Sequence, residues 1–260
     1  MISLELAEYA EAPSAFNVWP PGFRRVLTDR YCLVLGPSRF FAEVQRPRLD
    51  ASVEKTVAEI RAHAAERGHG PTIWWIGGSA TPDDLHERLR ALGFVTPDDR
   101  TPTAVALAIA DEPAVGPVDV DVRKVETLAD YLGAREVLWE AFETPAEKRD
   151  DERPGLEEQF RNEQALGAAA VFLAFADDVP IAAGRASFSD RGALLFGGAV
   201  LPEARGRGAY RALVRARWDE AVRRGTPTLV TQAAPSSEPI LRRLGFEEVT
   251  RLQRLNDPVA

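Results

Sequence analysis

Arg205-Gly206-Arg207-Gly208-Ala209-Tyr210-Arg211 brings three arginines and two glycines into seven residues. The stretch joins an apolar run, Leu194 to Val200, to an amphipathic run from about Tyr210 to Arg224. Those residue types at a strand-to-helix junction suit anion binding. Glycine lets a backbone approach a ligand closely, the first N–H groups of a helix lack intrahelical partners, and the helix dipole favours negative charge there. Arginine adds charge-assisted hydrogen bonds to phosphate oxygens. The spacing therefore predicts a diphosphate site over residues 205–211. A solvated turn that only caps a helix is the plainer alternative, and an RGRG tract can also bind nucleic acid. Against nucleic acid stands a net charge of −8, with a local concentration of basic residues at Arg205, Arg207, Arg211, Arg215, Arg217, Arg223 and Arg224. Such a patch suits a small polyanion better than a long phosphate backbone.

The segment resembles the acyl-coenzyme A signature of the GNAT N-acetyltransferase family, Gln/Arg-x-x-Gly-x-Gly/Ala. Arg205 and Gly208 match it, and Tyr210 stands where the family has Gly or Ala. With the apolar strand before it and Leu244-Gly245-Phe246 after it, the resemblance covers roughly residues 118–255. It implies acetyl-CoA as co-substrate, no metal, and direct acyl transfer to the primary amine of a small molecule. Ala199, Val200 and Leu201 would lie along the pantetheine arm. Arg205, Gly206, Arg207, Gly208, Ala209, Tyr210 and Arg211 would surround the diphosphate. Trp139, Glu140, Phe142 and Glu143 are the implied lining of the acceptor pocket; as ordinary residues, the aromatics would be helix core and the acids a solvated face. The Val200 N–H is the implied oxyanion donor. The family's usual tyrosine acid falls on Leu241 and its usual asparagine near Ala234, so neither side chain is present. Ser236 or Ser237 as proton donor through water, and Glu143 as acceptor, are the substitutes at hand. Those departures favour a non-catalytic acyl-CoA-binding protein as the alternative.

The elements that must hold this junction occur twice. In the second half, Val118–Val125 alternates as a strand, Thr127–Phe142 and Pro154–Leu166 are helical, and a charged loop over Glu143–Arg153 lies between them. A hairpin over Val171–Ala176 and Ile181–Ser187 precedes the strand Leu194–Val200, in which Gly197-Gly198 marks a bulge or a close backbone approach. The helix Gly208–Arg224, the strand Thr228–Thr231 and the helix Ser237–Leu244 follow. In the first half, strands are expected over Arg30–Gly36, Arg39–Gln45, Thr72–Ile76 and Thr103–Ala110. Helices are expected over Ala51–Gly68 and from about Pro82 to Leu92, the latter with Thr81 as N-cap. Leu89-Arg-Ala-Leu-Gly-Phe94 and Leu241-Arg-Arg-Leu-Gly-Phe246 close corresponding helices, which predicts a duplication. The first copy has no glycine in its junction, Arg46-Pro-Arg-Leu-Asp-Ala-Ser52, and Asp50 puts a carboxylate where a phosphate would sit.

The expected architecture is α/β (α+β): two tandem GNAT-like domains, each a mixed, mostly antiparallel twisted sheet flanked by helices. The divisions are 1–110 without a cofactor motif, a Pro/Gly linker over 111–117, and 118–260 binding acyl-CoA. A chain of 260 residues, 45% hydrophobic and 28% charged, suits two such units. No apolar run reaches the roughly 18 residues of a membrane span, and the acidic start Met-Ile-Ser-Leu-Glu-Leu-Ala-Glu does not read as a signal peptide. Cys32 in an apolar run reads as a small buried hydrophobe, and His63, His69 and His86 lack metal-ligand spacing. The expectation is a cytoplasmic monomer or homodimer without membrane or nucleic-acid partners.

Overall fold

The computed structural model describes residues 2–50, 52–97 and 103–259. Its helices are α1 (Leu4–Glu11), α2 (Val53–Ala65), α3 (Leu85–Ala91), α4 (Leu128–Ala141), α5 (Ala146–Glu152), α6 (Leu156–Leu166), α7 (Ala209–Arg223) and α8 (Glu238–Arg243). Its strands are β1 (Arg24–Leu27), β2 (Cys32–Leu35), β3 (Ala42–Gln45), β4 (Thr72–Ile76), β5 (Thr103–Ile109) and β6 (Asp121–Lys124), then β7 (Ala169–Ala176), β8 (Val179–Ser189), β9 (Gly192–Val200), β10 (Leu229–Ala233) and β11 (Glu247–Asp257).

All eleven strands form one sheet in the order β1-β2-β3-β4-β11-β5-β10-β9-β8-β7-β6. Every pair is antiparallel except β3 with β4 and β9 with β10, so each half carries one parallel pair. The halves exchange their last strands. β11 pairs with β4 of the first half, while β5 pairs with β10 of the second. The cores follow the exchange. Val105, Leu107 and Ile109 of β5 lie in the second half's core, and Leu255 of β11 lies in the first half's. The intervening Ala104, Ala106 and Ala108 point to the opposite face, where Leu6, Tyr9 and Ala10 of α1 cover them. A cut of the covalent chain at 111–117 therefore does not separate the two packed units.

The repeated helix endings are built alike. Phe94 N–H donates to Leu89 O and Phe246 N–H to Leu241 O, both at 3.1 Å, across Gly93 (φ +91°) and Gly245 (φ +100°). Such six-to-one bonds close a helix through a left-handed residue, a conformation that favours glycine. Both phenylalanines are buried in the cores of their respective halves.

Several local expectations need correction. The charged loop after α4 contains α5, a helix with no buried residue and hence no apolar face to betray it. The strand expected from Val118 begins at Asp121. The α3 helix starts after Asp84, because Thr81 is used elsewhere. The helix expected from Ala51 starts at Val53, Ala51 itself being outside the described residues.

Candidate active site

The arginine–glycine junction lies between β9 and α7. Gly206 (φ +83°) and Gly208 (φ +86°) both adopt the left-handed conformation, and a Cβ at Gly208 would run into Val118. Gly208 is the N-cap of α7, and no side chain bonds the helix start. The first-turn N–H groups, including those of Ala209, Tyr210 and Arg211, are therefore left to an outside acceptor.

The basic cluster is smaller than the sequence suggests. Arg211 bonds Val115 O (3.1 Å), Arg215 pairs with Glu112 (2.6 Å) and Asp219 (2.8 Å), and Arg223 and Arg224 both pair with Glu220. Arg217 is buried. Arg205 and Arg207 remain exposed, with no ion pair or side-chain hydrogen bond to the described residues.

The parallel ladder of β9 and β10 stops at Leu195 and Thr231, where Thr231 Oγ1 donates to Leu195 O at 3.0 Å. Beyond that point β10 stays with β5 while β9 stays with β8, so the two strands part. The register of β8 and β9 shifts between Ala183 and Arg185, opposite Gly197 (φ +54°) and Gly198, which is a bulge. Leu201 N–H donates to Ile181 O (2.9 Å) and Leu201 O accepts from Ala204 (3.0 Å). Both backbone groups of Leu201 are thus taken, which removes it from the residues expected along the arm. In an antiparallel ladder the backbone groups alternate sides. Ala199 then faces β8 with Leu201, and Val200 alone of the three turns its N–H and C=O into the gap.

Tyr210 reaches from α7 over this gap. Its ring edge comes within 3.3 Å of where a Cβ on Gly198 would be. Burial raises its pKa, opposed by the Arg217 charge and by a hydrogen bond from Ser237, so near neutrality it is a phenol. Ser237 precedes α8, with its hydroxyl also in reach of Ala234 O (3.1 Å). Leu241 is fully buried in the core.

The four residues expected to line an acceptor pocket do not share one environment. Trp139 is 2% exposed; its Nε1 donates to Glu152 (3.0 Å) and its ring lies against Arg135 and Arg153. It is core, and it ties α4 to α5. Glu140, Phe142 and Glu143 are exposed at the end of α4, with Glu143 at φ +52° in the turn that follows. The first half touches the same region, through Ser38 to Asp151 (2.7 Å) and Arg39 to Glu147 (2.6 Å), both acids lying on α5. Sequence reasoning missed Tyr210 as a residue in the gap, and missed Arg217 beneath it. The signal for Arg217 was an arginine on the apolar stripe of Leu213, Val214 and Trp218.

A duplicated mixed sheet that parts beside a glycine-rich helix start is the tandem GNAT architecture. Residues 132–246 match the acetyltransferase (GNAT) family. Solved structures that resemble nearly the whole chain include the following three. A GCN5-related N-acetyltransferase from Kribbella flavida has 21% identity and a TM-score of 0.68, covering 98% of this chain and 96% of that one. A tandem GNAT protein from the clavulanic acid biosynthesis pathway has 17% identity and a TM-score of 0.59, covering 92% and 84%. A GCN5-related N-acetyltransferase from Sphaerobacter thermophilus has 17% identity and a TM-score of 0.59, covering 89% and 81%. No curated protein matches the chain. The GNAT family match thus falls on the second half of the chain, and the fold of the whole chain is that of the tandem GNAT structure. Among the described residues no helix is long and apolar enough to cross a membrane, and no group of His, Cys, Asp or Glu could hold a metal ion.

Proposed function

We propose that the second half, residues 118–260 completed by β5 from the first half, binds an acyl-CoA and transfers the acyl group, acetyl in the simplest case, directly to the primary amine of a small molecule. The rest of residues 1–110, with β11 lent to it, forms the partner unit. The carrying observation is the parting of β9 from β10 with Val200 facing the gap. It supplies backbone hydrogen-bonding groups for the amides of an extended arm, and it opens beside a helix start flanked by two unengaged arginines.

In this reading Arg205, Arg207 and the N–H groups after Gly206 hold the diphosphate, and the Val200 N–H stabilises the oxyanion. The amine nitrogen bonds to the acyl carbon, the carbon–sulfur bond breaks, and the amine's proton balances the departing thiolate. Glu143 is the candidate proton acceptor and Ser237, hydrogen-bonded to Tyr210, the candidate donor. Leu241 offers no proton, which favours the second reading of a non-catalytic acyl-CoA-binding protein.

The test is calorimetric binding of acetyl-CoA, with pantetheine lacking phosphates as control, followed by thiol release with a panel of amines. Binding lost with the control, together with amine-dependent release, is expected. Binding without release would select the second reading, and no binding of any acyl-CoA would end both.

A further inference from the structure

Arg217 is 1% exposed and lies on the inner face of α7, two turns after Tyr210. Side chains of a helix lean toward its N-terminus, which aims this guanidinium back at the junction. It lies against Gly184 and Gly198. A Cβ on Gly184 would be 3.2 Å from its Cζ, and one on Gly198 would be 3.3 Å from Nη1 and 3.5 Å from Nη2. Nε donates to Leu213 O (2.9 Å) and Nη1 to Arg185 O (3.3 Å), both neutral carbonyls, while Nη2 is buried with no partner.

The other Arg, Asp and Glu side chains that are almost wholly buried each have an opposite charge among the described residues, while the less completely buried Glu43 is held by the Ser14 hydroxyl. Arg185 pairs with Glu163 (2.5 Å), Asp257 with Arg61 (2.7 Å), and Glu220 with Lys124 (3.1 Å) and Arg224 (2.8 Å). Arg217 has none. Burying a cation without a counter-charge is costly. Burial lowers its pKa only to about 10, so it stays charged at neutral pH, and the Tyr210 phenol does not supply the missing anion.

The unpaired cation lies over β8 and β9, against Gly184 and against Gly198 on the stretch of β9 that has left β10. Gly198 precedes Val200 by two residues, on the way to the point where β9 and β10 rejoin at Leu195 and Thr231. On the acyl-CoA reading, on which this inference rests, an arm threaded from the start of α7 along β9 brings its acyl end to Gly198. We propose that Arg217 binds a free carboxylate on the acyl group, so that the preferred donor is the coenzyme A monothioester of a short dicarboxylic acid, malonyl or succinyl in size. The unused Nη2 hydrogens and the carboxylate make a charge-assisted pair, and the Tyr210 hydroxyl adds a neutral donor beside it.

The full chain is titrated calorimetrically with succinyl-CoA, with butyryl-CoA, which has the same number of acyl carbons and no terminal charge, and with acetyl-CoA. Succinyl-CoA is expected to bind tighter than butyryl-CoA by roughly tenfold or more. In Arg217→Met the ratio is expected to fall to within about twofold, and the melting midpoint to rise, because an unpaired buried charge gives way to an apolar chain of similar length. Arg217→Lys, which keeps a charge, is expected to retain part of the preference. No preference in the wild type, or one that survives in Arg217→Met, overturns the proposal. So does a lower midpoint with an unchanged ratio, which would make Arg217 a structural strut. Acetyl-CoA binding without discrimination sinks this inference alone, whereas no binding of any thioester sinks the acyl-CoA reading with it.

Discussion

The start of α7 and the start of α2 occupy corresponding places in the two halves and are built in opposite ways. At α7 the strands part, two glycines turn the chain, and Arg205 and Arg207 have no ion pair among the described residues. At α2 the arginines Arg46 and Arg48 are held by Glu8 of α1, at 3.5 and 3.3 Å, with Arg191 joining from the other half at 3.4 Å. The parting of β3 from β4 is also filled. Thr81 N–H donates to Pro47 O (3.0 Å) and Leu49 N–H to Thr81 O (2.9 Å), so a strand-like contact from the chain itself lies where an arm would. Pro47 has no N–H to offer an anion, and Asp50 accepts the Ser52 N–H (2.9 Å). The first half answers with its own peptide and carboxylate the demands that the second half leaves open to a ligand. Filling this junction from within spares the first half unpaired backbone and unpaired charge, both of which cost stability once buried.

Reversing the free charges breaks the comparison most sharply. Arg205→Glu with Arg207→Glu is expected to weaken acetyl-CoA binding by about a hundredfold, two charge-assisted contacts being lost and repulsion gained. The melting midpoint should hardly move, since both side chains are exposed and unengaged. Arg48→Glu should do the reverse, sparing the affinity while lowering the midpoint. Calorimetry and thermal unfolding on the same samples separate the two, and a binding loss from Arg48→Glu would mean that the first half has kept a ligand site.

Glu8→Gln sharpens the same contrast from the other side. It leaves three guanidiniums around a neutral amide and is expected to cost about 1–2 kcal/mol of stability, less than a fully buried pair because Glu8 is partly exposed. The stoichiometry of acyl-CoA binding should stay at one per chain even with Arg46 and Arg48 released, as that junction still lacks glycine. A second equivalent bound would show that Glu8 was the only obstacle.

How much of this was legible in the sequence follows from the range over which each signal acts. Gly206, Gly208 and the two Leu-Gly-Phe endings declare themselves because a left-handed turn needs glycine at one position whatever surrounds it. The strand exchange was hidden. β5 and β11 satisfy the alternating pattern equally well beside either neighbour, and the choice depends on contacts far apart in sequence. Thr81-Pro82-Asp83-Asp84 carries a good helix-start pattern, but the Thr81 backbone is drawn into pairing with Pro47 and Leu49, which moves the start to Leu85. Arg217 looked like one more member of a basic patch, since a periodic arginine can lie on either face of a helix. Of the residues read as an acceptor pocket, Trp139 followed the rule that a large aromatic on a helix stripe is core.

The smallest effect tests whether the filled gap is maintained by backbone or by side chain. Thr81 Oγ1 donates to Leu49 O (3.0 Å), a third bond beside the two backbone ones. Thr81→Val keeps the shape and both backbone bonds and removes only the hydroxyl, for an expected loss of about 1 kcal/mol read as a lower denaturant midpoint with an unchanged slope. Backbone pairing alone then keeps the gap shut, and acyl-CoA stoichiometry stays at one. A second site appearing in Thr81→Val would place the barrier in that single hydroxyl, and the two junctions would differ by a side chain and not by architecture.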